Sequence, residues 1–268
     1  MRAIPVLLGA LAAGLAIAAA FLFLTYSITP PSSQPIVVPA NEILQFPGGA
    51  HLGPSFSFAM WSLTVQNNSN ETQRLVASLF GNGLPGDFQS ITLNSSQRVS
   101  RTSCEGAARN GSNYTVSIIA SSRTGSVNFS VPVTMMTATR VPFNGQVTVT
   151  NNLLNTSASI AGRTGAAEWN MTIENNGTRP ITFFYATLYD PNASKQIFSL
   201  SSCPYPEYNG GQSRTVSPQS PLVQGQSLSV SSPLFIPGVT AGKTYSIEYV
   251  VGYSDGTEVV FTTSVQAK

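Results

Sequence analysis

The chain has 268 residues, of which only 9% are charged, and a formal charge of +2. No Lys/Arg cluster breaks the Ser, Thr, Asn and Gly that take the place of the missing ions, so nucleic-acid binding has no electrostatic support. The single histidine, His51, excludes copper and catalytic zinc centres that need several imidazoles; it lies in a Gly-rich, loop-like stretch, and no G-x-S-x-G elbow is present for a serine hydrolase.

Arg2 is followed by an uninterrupted apolar run, Ile4 to Leu24. A helix needs about 20 such residues to cross a bilayer. Residues 4–24 are therefore expected to contact the membrane as the core of a transmembrane anchor, residues 1–26. Positive charge precedes the run and no charge follows until Glu42, which places the N-terminus in the cytoplasm and the rest of the chain outside. Ala18-Ala19-Ala20 could serve as a signal-type cleavage site. Cutting there would leave Phe21-Leu22-Phe23-Leu24 at the new terminus, so retention is favoured. Arg2-Ala3-Ile4-Pro5-Val6-Leu7, ahead of an Ala/Leu-rich helix, resembles the processing region of archaeal type IV pilins and archaellins. That resemblance is confined to the N-terminal stretch. It implies cleavage near Ala3 and a helix packed in a filament core. Residues 27–41, "SITPPSSQPIVVPAN", are Pro/Ser-rich and are expected to form an extended, semi-rigid tether.

Two similar halves follow. Trp61-Ser-Leu-Thr-Val-Gln-Asn-Asn matches Trp169-Asn-Met-Thr-Ile-Glu-Asn-Asn, each a strand with alternate residues inward and an Asn-rich turn at its end. Ala77-Ser-Leu-Phe matches Ala186-Thr-Leu-Tyr; Tyr114-Thr-Val-Ser-Ile matches Tyr245-Ser-Ile-Glu-Tyr; Gly125-Ser126 matches Gly256-Thr257. The stretch "GVTAGKTYSIEYV" from Gly238 contains Gly-Lys-Thr, but one residue too few separates its glycines for a phosphate-binding loop. The alternation after it is that of a strand. A hairpin with an Asp255-Gly256 turn and a solvated Lys243 is expected. Helical periodicity is absent beyond the anchor, and Gly, Pro and Asn turns are frequent. The expectation is an all-β fold: two tandem antiparallel sandwiches, residues 42–136 and 141–268, with Trp61 and Trp169 at the centres of their cores. The tail "GKTYSIEYVVGYSDGTEVVFTTSVQA" is similar to the immunoglobulin-like modules of archaeal surface and pilin-type proteins. That resemblance implies tandem immunoglobulin-like sandwiches, with one departure: each half has one cysteine instead of two.

Cys104 and Cys203 follow Thr-Ser and Ser-Ser and are expected at similar places in the two halves, and in an oxidising compartment a Cys104–Cys203 bond would lock the halves together. Two buried thiols, or cross-links between subunits, are the alternatives. N-x-[ST] sites occur at Asn67, Asn70, Asn94, Asn110, Asn113, Asn128, Asn155, Asn170, Asn176 and Asn192. Their density suggests glycans at several of them, supplying the solubility that charge does not. Tyr205 and Tyr208, in a loop peculiar to the second half, are candidate contact groups for a sugar or protein partner. The few carboxylates form no D-x-D or E-x-x-H pattern, and Asp255 and Glu258 are assigned to the hairpin. No cofactor, metal site or catalytic residue is expected. The sequence points to a single-pass, membrane-tethered extracellular structural or adhesive protein, or to a filament subunit that assembles with itself. A glycan- or protein-binding surface module is the alternative.

Overall fold

The computed structural model describes residues 34–48, 56–81, 88–109, 112–156, 166–192, 195–202, 216–232 and 236–268. The expected anchor and the first part of the tether lie outside these residues. Among the described residues the protein is all-β, and no helix is long and apolar enough to cross a membrane.

The first repeat contains β1 (Ile36–Phe46), β2 (Phe56–Asn67), β3 (Gln73–Gly81), β4 (Phe88–Leu93), β5 (Arg98–Arg109), β6 (Tyr114–Ser121), β7 (Ser126–Pro132) and β8 (Thr134–Thr137). They form two sheets, ordered β5-β2-β1-β8 and β4-β3-β6-β7. Strict alternation drives this arrangement. Trp61, Leu63 and Val65 of β2, Leu75, Ala77 and Leu79 of β3, and Tyr114, Val116, Ile118 and Ala120 of β6 are buried in one cluster between the sheets. The residues between them face out.

The second repeat contains β9 (Thr139–Arg140), β10 (Val147–Asn155), β11 (Ala166–Asn175), β12 (Ile181–Asp190), β13 (Lys195–Ser201), β14 (Ser227–Ser231), β15 (Ile236–Pro237), β16 (Thr244–Tyr253) and β17 (Thr257–Gln266). Its sheets are β10-β11-β14, with β15 also on β11, and β13-β12-β16-β17-β9. Trp169, Met171 and Ile173 face Phe184, Ala186, Leu188, Tyr245, Ile247 and Tyr249 across the core.

The duplication extends to individual hydrogen bonds. In both halves the first long strand has a register shift, between Val37 and Ala40 or between Thr150 and Leu153, with an asparagine directly after it (Asn41) or within it (Asn152). Asn41 Oδ1 accepts the Trp61 indole N–H at 2.9 Å, and Asn152 Oδ1 accepts that of Trp169 at 2.9 Å. A buried indole N–H left without an acceptor would carry its full desolvation cost. Asn67 and Asn175 end β2 and β11 in the same way. Each is fully buried; each donates from Nδ2 to the carbonyl four residues on, and each accepts a backbone N–H two residues on. Gln97 and Gln226 then take matching places before β5 and β14, each accepting the N–H of the residue three before it.

Three expectations are corrected. The tether is shorter, because Ile36 to Asn41 already belong to β1. Lys243 is not simply solvated: its ammonium pairs with Asp190 and lies 5.6 Å from the centre of the Tyr245 ring. The two cysteines do not occupy matching places. Cys104 is on β5, opposite Met60, and the counterpart of β5 is β14; Cys203 lies between β13 and β14, outside the described residues. The Gly-Lys-Thr stretch is a turn, as expected: Gly238 and Gly242 both have φ of +80°, and β16 and β17 follow as a hairpin.

Candidate functional site

The place where side chains from distant parts of the chain converge is the junction between the repeats. Its centre is apolar. Phe46, from the end of β1, stacks on Phe183 of β12, ring centres 4.4 Å apart and planes within 6°. Met60, Ala138, Tyr185 and Val250 complete the cluster, with Leu44 and Val260 half-buried at its rim. Gly252 makes the contact possible: a Cβ there would lie 2.1 Å from the Phe46 ring. Around this centre the backbone is continuous. Ala138 N–H donates to Gln45 O at 2.7 Å, and β8 runs parallel to β1. One residue later the chain changes allegiance. Thr139 N–H donates to Gly256 O, Val141 N–H donates to Glu258 O, and β9 extends the second repeat's sheet parallel to β17.

Glu258 seals the joint. It is fully buried, and its Oε1 accepts Arg140 Nε at 3.1 Å and Nη2 at 3.0 Å, while Oε2 accepts the Gly48 N–H at 3.3 Å. Arg140 also donates to the Gly48 carbonyl. The linker is held further on by Phe143, which stacks on Phe261 at 4.3 Å. Glu258, assigned from the sequence to its own hairpin, is thus a tie between the repeats. Asp255 does serve the turn: its Oδ1 accepts Thr257 N–H and Oγ–H, and Oδ2 lies 3.5 Å from Arg179. Burial pushes the Asp255 carboxyl up, but the Thr257 bonds and the Arg179 charge outweigh it, leaving the group below its usual value.

Beside the joint lies a cleft of about 540 Å³ with Glu42, Met60, Ser62, Met136, Thr137 and Ser254 in its walls. It offers hydroxyls and one uncommitted carboxylate, Glu42, over methionine side chains. Asp255 also lines it but is held by Arg179 and Thr257. Such a surface can bind a polar ligand. It has no second free acid to work as a partner in acid–base chemistry. Among the described residues no group of three or more His, Cys, Asp and Glu side chains converges.

The sequons fall into distinct environments. Asn67 is the wrong environment for a glycan: it has no exposed surface, and its Nδ2, the atom a sugar would take, donates to the carbonyls of Glu71, Leu93 and Asn94. The expectation of an open turn fails because that side chain builds the turn. Asn70, Asn94, Asn113, Asn128, Asn155, Asn176 and Asn192 are exposed, and Asn170 is half-buried on the outer side of β11. Asn110, His51, Cys203, Tyr205 and Tyr208 lie outside the described residues. The junction residues Phe46, Arg140 and Glu258 escaped sequence reading. A lone Arg in an uncharged linker and a lone Glu at the start of a Val-rich strand were the available signal.

No protein-family model matches the sequence, and no curated protein is similar to it. Among solved structures, red sea bream transglutaminase aligns at 9% identity and a TM-score of 0.27 over 88% of this chain, which spans 31% of that one. A protein of unknown function from Porphyromonas gingivalis W83 aligns at 12% identity and a TM-score of 0.25, covering 87% of this chain and 99% of its own. The periplasmic chaperone SfaE aligns at 13% identity and a TM-score of 0.26, covering 87% and 98%.

Proposed function

We propose that the protein is a membrane-tethered, extracellular structural or adhesive surface protein whose two halves are tandem immunoglobulin-like sandwiches set at a fixed angle. The observation that carries this reading is the sealed joint. Domains in one chain move relative to each other unless their interface is extensive and apolar. Here an aromatic stack, an ion pair between exposed Arg140 and fully buried Glu258, and a linker strand shared with the second repeat oppose such motion. A stiff joint suits a spacer or a filament subunit. The strand order supports the immunoglobulin-like assignment: second and fifth strands pair in one sheet, third and sixth in the other. The apolar run at residues 4–24 supplies the membrane anchor, the exposed sequons the solubility, and a Cys104–Cys203 bond a further lock. The test is protease treatment of intact cells followed by fractionation and electron microscopy of the surface. The repeats should be digested from outside and the remnant should stay with the membrane. Recovery of the intact chain from the cytosol overturns the proposal.

The cleft favours a second reading, a surface module that binds a sugar or a protein segment. Glu42 and the surrounding hydroxyls would contact the ligand there. A glycan array with the intact protein and with Glu42→Ala tests it; identical binding profiles, or none, would remove the cleft.

A further inference from the structure

Corresponding rows of side chains cross the outer faces of the two large sheets. In the second repeat, Val260 of β17, Val250 of β16 and Tyr185 of β12 stand side by side in register. All three belong to the junction cluster, under Phe46 and Met60. In the first repeat the same row is Asn128 of β7, Ile119 of β6 and Val76 of β3, ending at Ser90 of β4. No protein covers it among the described residues: Ile119 is 50% exposed and Val76 41%. Where the second repeat has Val260, the first has Asn128, the acceptor of an Asn-Phe-Ser sequon.

We propose that Asn128 carries an N-linked glycan that lies across Ile119 and Val76, so that sugar covers in the first repeat the face that protein covers in the second. The inference rests on the extracellular reading above. The geometry fits the modification. Asn128 and Ser130 are two residues apart on a strand, so the acceptor amide and the hydroxyl the sequon requires share the outer face, and both are exposed. β7 ends its sheet, leaving one flank open. Asn128 Oδ1 accepts a long bond from Ser117 Oγ at 3.5 Å, and nothing described holds its Nδ2, the reverse of Asn67. Strands lie about 4.8 Å apart, which puts Val76 about 10 Å from β7, within the span of the first sugar rings. The C–H face of a pyranose packs well on aliphatic side chains. The other exposed sequons have no such in-register pair beside them. The consequence is a division of labour between faces: the sugar withdraws this one from contact with neighbouring molecules.

The test uses protein isolated from its own cells. Trypsin releases residues 124–140, in which Asn128 is the sole sequon. That peptide should carry a glycan mass, and Asn128→Gln and Ser130→Ala should each return it to bare mass. Both folded variants should then bind more of an apolar-surface dye such as anilinonaphthalene sulfonate, and adding Val76→Ser should bring the dye signal back. A bare 124–140 peptide from protein that fractionates with the cell surface sinks this proposal and leaves the surface reading standing. Protein found in the cytosol sinks both. A glycan whose removal leaves dye binding unchanged sinks the covering role.

Discussion

β3 and β12 hold the same place in the two repeats and are buried differently. In β3 burial alternates, with Leu75, Ala77 and Leu79 inside and Arg74 and Val76 outside. In β12 the first eight residues, Ile181 to Leu188, are all buried. The inner faces are interchangeable; the outer faces are not, because the end of the first repeat sits on one of them. The sequences report the difference. "RLVASLFG" alternates as a half-exposed strand should, whereas "ITFFYATL" is a nearly continuous run of large side chains, as expected of a strand covered on both faces. A repeat is thus a core module with an adjustable exterior.

The strongest way to break the comparison is to remove the plug. Phe46→Ala deletes a fully buried ring that stacks on Phe183 and fills the space above Gly252. A loss of about 3–5 kcal/mol is expected, and the change should fall on coupling: a single calorimetric transition should divide into two. On the exposed outer face of the first repeat, Val76→Ala, at the place Tyr185 holds in the second, should change stability by less than about 0.5 kcal/mol. Equal losses at the two positions, or an unchanged single transition in Phe46→Ala, would contradict the sealed joint.

A second contrast is chemical. Tyr249 faces the second core where the first has Ile118. Burial pushes the Tyr249 hydroxyl up to about 12, against a small opposing pull from Thr263. Tyr253, at the edge of the same core, is also pushed up to about 12, mainly by burial. With folded values above the unfolded value of about 10, their contribution is complete below pH 10 and lost as pH rises toward 12. There the unfolded chain sheds protons that the folded chain keeps. For Tyr249 the loss approaches ~2–3 kcal/mol. Denaturation midpoints measured across this range should fall, with tyrosinate absorbance rising in the same step, and Tyr249→Phe should flatten the fall. A midpoint unaffected by alkali would show that the second core is open to water.

Much of the core was legible in sequence because alternation with aromatic landmarks is a local signal: Trp61, Trp169, Tyr114 and Tyr245 fixed the strand pairs, and all four are buried. The junction was not. Phe46 sits at the end of a strand beyond a Pro-rich segment, and its partner Phe183 is 137 residues away; nothing local distinguishes a ring that plugs a neighbour from one that caps its own sheet. The partnership of Arg140 with Glu258 is likewise set by topology, since the two residues are 118 apart in the chain and meet only where β9 lies parallel to β17. The sequons show the converse error. Asn67 carries a valid motif, but a motif records chain chemistry and not which atoms folding uses up.

The smallest expected effect tests whether the repeats share their turn device. Asn67 Nδ2 serves three carbonyls, those of Glu71 at 2.7 Å, Leu93 at 3.2 Å and Asn94 at 3.0 Å. Asn175 Nδ2 serves two, those of Arg179 at 2.8 Å and Leu222 at 2.7 Å. Alanine at either position strands buried carbonyls and an N–H, costing about 1–2 kcal/mol by denaturant unfolding, with similar values at the two sites. Aspartate should be worse than alanine in both, because it turns an oxygen toward carbonyls that need a donor and buries a charge. If Asn67→Asp were tolerated while Asn175→Asp was not, the two amides would not be equivalent, and the duplication would stop at the strands.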